Sequence, residues 1–207
     1  MTRANQIAFA LGGLLLLASN VYAQDSGAKF TRFSSSLLGT GTLANIQQQF
    51  GRAPIVESGD AGEYVASVCY EAKSGYVAFL AGELDGPEHN LGGYSLSVTP
   101  ARPPCRRWPA NVIFPGLSLG PLHSGMTLEE FKREVGAPVK LIGDWFYAHF
   151  DSRRNLTKAD IDGLPDEVKK AVNDGSVQNY YDVTVSVSAR FRSGKLTVLR
   201  VWKSETM

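Results

Sequence analysis

The chain has 207 residues, with 21 basic and 20 acidic side chains, three histidines and two cysteines. A formal net charge of +1 gives no electrostatic case for a nucleic-acid or anionic-membrane partner. Three histidines far apart in sequence, with no Cys or carboxylate at ligand spacing, give little support for a zinc site.

Arg3 opens a short positive region, residues 7–19 form an apolar run, and Val21-Tyr22-Ala23 puts small residues where a signal peptidase reads. Residues 1–23 are therefore expected to be a signal peptide. The run is about 13 residues, against roughly 20 needed to span a bilayer, so stable membrane insertion is not expected. No Cys lies near the cleavage site to accept a lipid. Without Arg3 the basic and acidic residues balance, and the mature 184 residues suffice for one domain or two small ones sharing a core. Cys69 and Cys105, an even pair in an exported chain, are expected to form a disulfide. In the chain-entropy model such a bridge contributes roughly 3 to 4 kcal/mol.

Residues 24–36 are polar and aperiodic and read as a flexible lead-in. A first unit over 37–99 starts with Thr42 as N-cap, carries Leu43, Ile46 and Phe50 on one helical face, and stops at Gly51 before Pro54. Alternation then predicts strands over 63–72, 76–84 and 94–98, the first two joined at a Lys-Ser-Gly turn. Residues 100–116 hold five of the ten prolines and read as a connector, which a bridge from Cys105 would pin to the first sheet. A second unit over 117–207 repeats the order. Thr127 and Glu130 make a capping box, Leu128, Phe131 and Val135 form the apolar stripe, and Gly136 and Pro138 end the helix. Strands are predicted over 144–150, 180–192 and 195–203, the last two joined by a tight Ser193-Gly194 turn. Between them 151–179 is a polar insertion with its own helix, Pro165 in its first turn and Val168, Ala171 and Val172 on one side. The fold class expected is α+β: two tandem repeats of a short helix followed by an antiparallel sheet, with both helices on one sheet face. Neither helix is long enough to bury a core alone, so pairing the units makes one core and leaves the other sheet face open.

The stencil Gly-x-Thr-x-x-Glu, ending in Gly-x-Pro at residues 125–138 and echoed at 40–54, resembles the short helix of the SmpA/BamE outer-membrane assembly proteins. Its appearance twice in an exported chain is similar to the layout of the β-lactamase inhibitory protein family. The resemblance implies a non-catalytic protein-binding module whose partner is an envelope assembly component or an enzyme it inhibits. The sequence departs from the family in lacking a lipidation Cys, in the 151–179 insertion, and in Asn45 standing where the second stencil has Glu130.

Strand side chains alternate between faces. Phe146, Ala148 and Phe150 suit a buried face, and Trp145, Tyr147 and His149 the opposite one; Val183, Val185, Val187, Ala189 and Phe191 leave Arg190 on that second face. In the last strand Arg200 and Trp202 share a face, with Leu196 and Val198 falling on it too. Trp, Tyr and Arg dominate binding hot spots, so Trp145, Tyr147, His149, Arg190, Arg200 and Trp202 are the candidate partner-binding residues. The partner expected is another envelope or secreted protein, in the periplasm or outside the cell. An alternative is a small-molecule or cell-wall-fragment binder that uses the cleft between units. A hydrolase would need His149 within reach of a serine and a carboxylate, and no Gly-x-Ser-x-Gly elbow is present. Gly39-x-Gly41-x-x-Ala44 follows no convincing strand, and Asp160-x-Asp162-Gly163 lacks the residues that open and close a calcium loop, so no cofactor is expected.

Overall fold

In the computed structural model the described residues are 27–100 and 104–207. The expected signal peptide at 1–23 lies outside them. A 3-10 turn at Ala28–Phe30 leads to the short strands β1 (Arg32–Phe33) and β2 (Ser36–Leu37), then helix α1 (Leu43–Phe50). Strands β3 (Ile55–Ser58), β4 (Val65–Ala72), β5 (Gly75–Gly82) and β6 (Gly93–Ser97) follow. The connector carries β7 (Arg106–Arg107). Then come the hairpin strands β8 (Ser118–Leu119) and β9 (Leu122–His123), helix α2 (Leu128–Val135), and strands β10 (Lys140–Ile142) and β11 (Trp145–Asn155). Helices α3 (Lys158–Gly163) and α4 (Asp166–Asn173) precede the long strands β12 (Tyr180–Arg192) and β13 (Lys195–Thr206).

Nine strands make one sheet in the order β10-β11-β12-β13-β6-β5-β4-β3, with β7 beside β4. Every pairing in it is antiparallel except β4 with β7. The fold class is therefore α+β with a mainly antiparallel sheet and few helices. β6 and β13 meet at the sheet's centre, Leu96 opposite Leu199 and Tyr94 opposite Val201.

Both stencil helices close a capping box. In α1 Thr42 Oγ1 accepts from Asn45 N at 3.3 Å and Asn45 Oδ1 accepts from Thr42 N at 2.9 Å. In α2 the same pair of bonds joins Thr127 and Glu130, so Asn45 does the work of the glutamate at the equivalent position. Gly136 ends α2 in the left-handed region at φ 69°, where an L side chain would be strained. Leu43, Ile46 and Phe50 of α1 and Phe131 and Val135 of α2 enter one continuous core, on the sheet face formed by Val68, Phe79, Leu96, Val201, Val187 and Ala148. Each such buried large side chain contributes roughly 1.5–3 kcal/mol.

Several expectations need correction. Residues 27–36 are not a flexible lead-in: Phe30 and Phe33 are fully buried, and the turn and β1–β2 hairpin hold them in the core. Two aromatic residues spaced by three among polar ones give too little periodicity to read. Two edge strands, β3 and β10, were not foreseen, because three or four residues cannot display an alternation. The insertion is shorter than expected at its N-terminal end, where β11 runs on to Asn155, and it holds a second helix, α3, capped by Thr157 and Asp160, before the predicted one. The Asp160-x-Asp162 segment is thus helical, with Asp160 paired to Arg154.

The Cys69–Cys105 disulfide is formed. Cys69 lies on the face away from the helices, in a small cluster with Ala78, Leu80, Tyr76 and Trp202. β7 then rounds the sheet edge, and Trp108 reaches the helix side, where its ring lies 4.5 Å from that of Phe50 and its Nε1 donates to Val112 O. The connector is a strap across the edge of the sheet, fastened on both faces.

Candidate functional site

On β11, Trp145, Tyr147 and His149 point away from both helices, since Phe146, Ala148 and Phe150 between them face the core. The register places Tyr147 opposite Ser188, which is opposite Arg200, and His149 opposite Ser186, which is opposite Trp202. All six candidate residues therefore lie on one sheet face. A register shift at Arg190/Phe191 explains why the last strand is ambiguous in sequence. Thr197 is the extra residue of a β-bulge: Leu196 turns into the core against Phe191, while Val198, Arg200 and Trp202 keep the outer face.

The geometry divides the six into two groups. Trp145 is the centre of the first, with the guanidinium carbons of Arg190 and Arg200 lying 4.5 and 4.6 Å from its ring. Such contacts contribute about 0.5–1 kcal/mol each at exposed positions. Asp144 holds Arg190, Oδ2 2.9 Å from Nε and Oδ1 3.0 Å from Nη2. Tyr147 continues the row and stacks on His149 with an interplanar angle of 4°. Trp145 and Tyr147 are half-buried, while His149 and Arg200 are exposed. Two neighbours missed in sequence extend this row onto β10: Lys140 opposite Tyr147, and Ile142 opposite Trp145 and 60% exposed. A hollow of about 270 Å³ beside Arg190 is bounded by Asp144, Arg192, Val98 and Val198.

Trp202 belongs elsewhere. Its indole lies flat over Gly82 and Gly93, so closely that a Cβ on Gly93 would stand 2.4 Å from the ring and one on Gly82 2.8 Å. It floors a groove of about 720 Å³ at the end of the sheet, walled by Tyr64, Glu63, Glu83, Asp85 and Lys203. No sequence pattern joins Trp202 to these two glycines, which lie more than 100 positions earlier.

The insertion is tied to the sheet by Arg154, which bonds Asp160 at 2.7 Å and Glu205 at 2.6 Å. Those bonds hold the Asp160 carboxyl well below the usual range and lift the guanidinium further. Glu205 is also held low by Arg154 and Lys203, against the upward pull of its burial. Arg154 shares the helix-side parity of Ala148 and Phe150, so this tether lies on the face opposite the aromatic row.

His149 Nδ1 lies 2.9 Å from Ser186 Oγ. Among the described residues no carboxylate bonds the ring, and nearby Asp151 accepts from Thr184 Oγ1. The serine a hydrolase needs is thus present beside His149 without the orienting acid. No group of three or more metal-binding side chains is found among the described residues. No helix there is long and apolar enough to cross a membrane.

No family model and no curated protein matches the chain. Two solved structures are similar to it. One is an extracellular protein containing an SCP domain from Bacillus anthracis str. Ames, at 12% identity and TM-score 0.37, matched over 83% of this chain and 47% of that one. The chain thus spans about half the length of that protein. The other is a proposed β-lactamase inhibitor protein from Streptococcus mutans, at 12% identity and TM-score 0.25, matched over 86% of this chain and 90% of that one. Likenesses this distant assign neither a family nor a function, and neither supports the resemblance to the SmpA/BamE group.

Proposed function

We propose that the chain is an exported, non-catalytic protein-binding module that docks a partner on the sheet face centred on Trp145. The observation that carries this reading is the Arg190–Trp145–Arg200 stack, set with Tyr147 on the side of the sheet that neither α1 nor α2 covers. Trp, Tyr and Arg combine large contact area with polar handles, and here their rotamers are held in advance, which lowers the entropy cost of docking. Exposed Ile142 supplies an apolar border, and the hollow beside Arg190 is sized for a partner side chain. The partner is another envelope or secreted protein, of the assembly or inhibited-enzyme type. The disulfide is consistent with an oxidising, extracytoplasmic location.

The same reading treats the chain as two tandem units. Its support is the order of elements: a short hairpin, a capped helix and four strands, then the same sequence again from β8 to β13. The units would meet at β6 and β13, fusing two small sheets into one.

The test is capture from a bacterial envelope extract with the chain as bait, beside the Trp145→Ala/Tyr147→Ala double variant. The double variant is expected to lose capture at least about 100-fold, since each hot-spot truncation costs about 2 kcal/mol or more, with an unchanged unfolding midpoint. Equal capture by both proteins would remove the Trp145 face. The small-molecule alternative draws on the groove beside Trp202, which contains none of Trp145, Tyr147 or His149.

A further inference from the structure

Where β6 ends, the sheet has a gap one strand wide. β6 pairs with β5 as far as Leu80–Gly93 and with β13 as far as Gly93–Trp202. Gly92 adds one bond to each side, its N–H donating to Leu80 O and its carbonyl accepting from Lys203 N, both at 2.9 Å. Beyond that point the chain leaves the sheet: Leu91 N donates to Gly41 O and Gly39 N to Leu91 O, beside the start of α1. β5 and β13 continue without it. Residues 203–206 pair with β12 on one side, and among the described residues no strand pairs with them on the other. At the last β6 pairings the flanking strands stand two ladder spacings apart, about 10 Å, the room one inserted strand requires.

The main-chain groups that line this gap are those a strand would use. Residues of an antiparallel strand direct N–H and C=O to alternate sides. Lys203 N faces Gly92, so Glu205 N–H faces the gap; Leu80 O faces Gly92, so Gly82 N–H faces it from the opposite wall. Asp85 Oδ2 accepts the Gly82 N–H at 2.5 Å, in the place where the next carbonyl of a longer β6 would stand. Burial pushes the Asp85 carboxyl up, and the Gly82 N–H only partly offsets this, so the carboxylate is a costly stand-in for a neutral carbonyl. The surrounding groove carries Glu63, Glu83 and Asp85, while Glu205 is paired to Arg154 and to the one lining cation, Lys203.

We propose that this gap is a strand-acceptor site that takes an extended, basic peptide segment of another protein between β5 and β13. The main chain of that segment would replace the Asp85 carboxylate at Gly82 N–H and accept from Glu205 N–H. Its lysine or arginine side chains would meet the carboxylate rim, and Trp202 would floor the site. Main-chain bonds supply affinity in strand addition, and the rim supplies the preference for charge. This site is separate from the Trp145 face and does not depend on it.

The probe is acetyl-Lys-Val-Lys-Val-Lys-amide, titrated into the full chain by calorimetry and followed by amide chemical shifts. Saturable binding is expected, with the largest shifts at Gly82 and Glu205, and the peptide with glutamate in place of lysine should not bind. Glu205→Pro deletes the N–H facing the gap, whereas Glu205→Gln keeps it; both lose the Arg154 ion pair, so their comparison isolates the main-chain bond. Glu205→Pro should bind about tenfold more weakly than Glu205→Gln, the worth of one hydrogen bond. A backbone N-methylated lysine peptide removes the segment's own N–H donors, the other half of the strand ladder, with the protein unaltered, and it should lose binding. The proposal is overturned if the lysine peptide does not bind, if the N-methylated peptide binds equally, or if the shifts centre on Trp145.

Discussion

Trp145 and Trp202 show how two like residues on one sheet face acquire different settings from what lies beside them. Trp145 is flanked by guanidinium groups and borders the exposed Ile142. Trp202 rests on two glycines whose missing side chains admit the indole. Gly93→Ala should therefore displace Trp202 and destabilise the protein by about 1–3 kcal/mol, the usual cost of overpacking. A urea titration measures it, and a cost near zero would mean the indole does not lie on the glycine. The face of Trp145, Tyr147, His149 and Arg190 was legible in sequence, because strand alternation has a period of two, whereas the bulge at Thr197 obscured that of Arg200 and Trp202. The division of the six into two groups was not legible, since glycines on β5 and β6 decide where the Trp202 ring can lie. Trp108 also escaped notice: in a proline-rich segment nothing in the local pattern distinguishes a core aromatic from an exposed one.

At the scale of elements, the two stencil helices depend on their caps because each has only eight residues. Thr127→Ala should cost about 0.5–2 kcal/mol through loss of the bond from Glu130 N, and Thr42→Ala a similar amount, both measurable as shifts in the denaturation midpoint. Charge reinforces α2, which carries Glu129 and Glu130 in its first turn and Lys132 and Arg133 in its last. The insertion should respond to acid. Asp160 and Glu205 have carboxyls held below their ordinary values, so their pairing with Arg154 is fully present above the ordinary carboxylate range, about pH 4 to 5. It is lost as pH falls through the lowered values. Amide exchange in α3 should accordingly accelerate below about pH 4 while the central strands stay protected. Uniform protection of α3 at low pH would show that the Arg154 tether does not hold it. The helices and long strands were readable because each spans enough residues to display its period. The bulge at Thr197, by contrast, is visible only as a broken alternation until a partner strand fixes the register.

Across the whole molecule, distant segments are joined where β6 meets β13 and where the connector crosses the sheet edge. Val201, fully buried at that seam, lies opposite Tyr94. Removing the disulfide with Cys69→Ala and Cys105→Ala together should lower stability by about 3 to 4 kcal/mol and free the strap that carries Trp108. Equilibrium unfolding with and without reductant measures this, and an unchanged midpoint would mean that packing alone holds the connector.

By itself the sequence determined the α+β class, the two capped helices, the cysteine pairing and the direction in which the side chains of β11 and β12 point. These depend on near neighbours in the chain or, for the two cysteines, on there being only one intrachain pairing. Tertiary structure alone decided that residues 27–36 join the core, that Trp202 leaves the Trp145 group, and that β5 and β13 outrun β6. Each of these depends on which distant segments lie side by side and where each one stops, and no local pattern of residues encodes that.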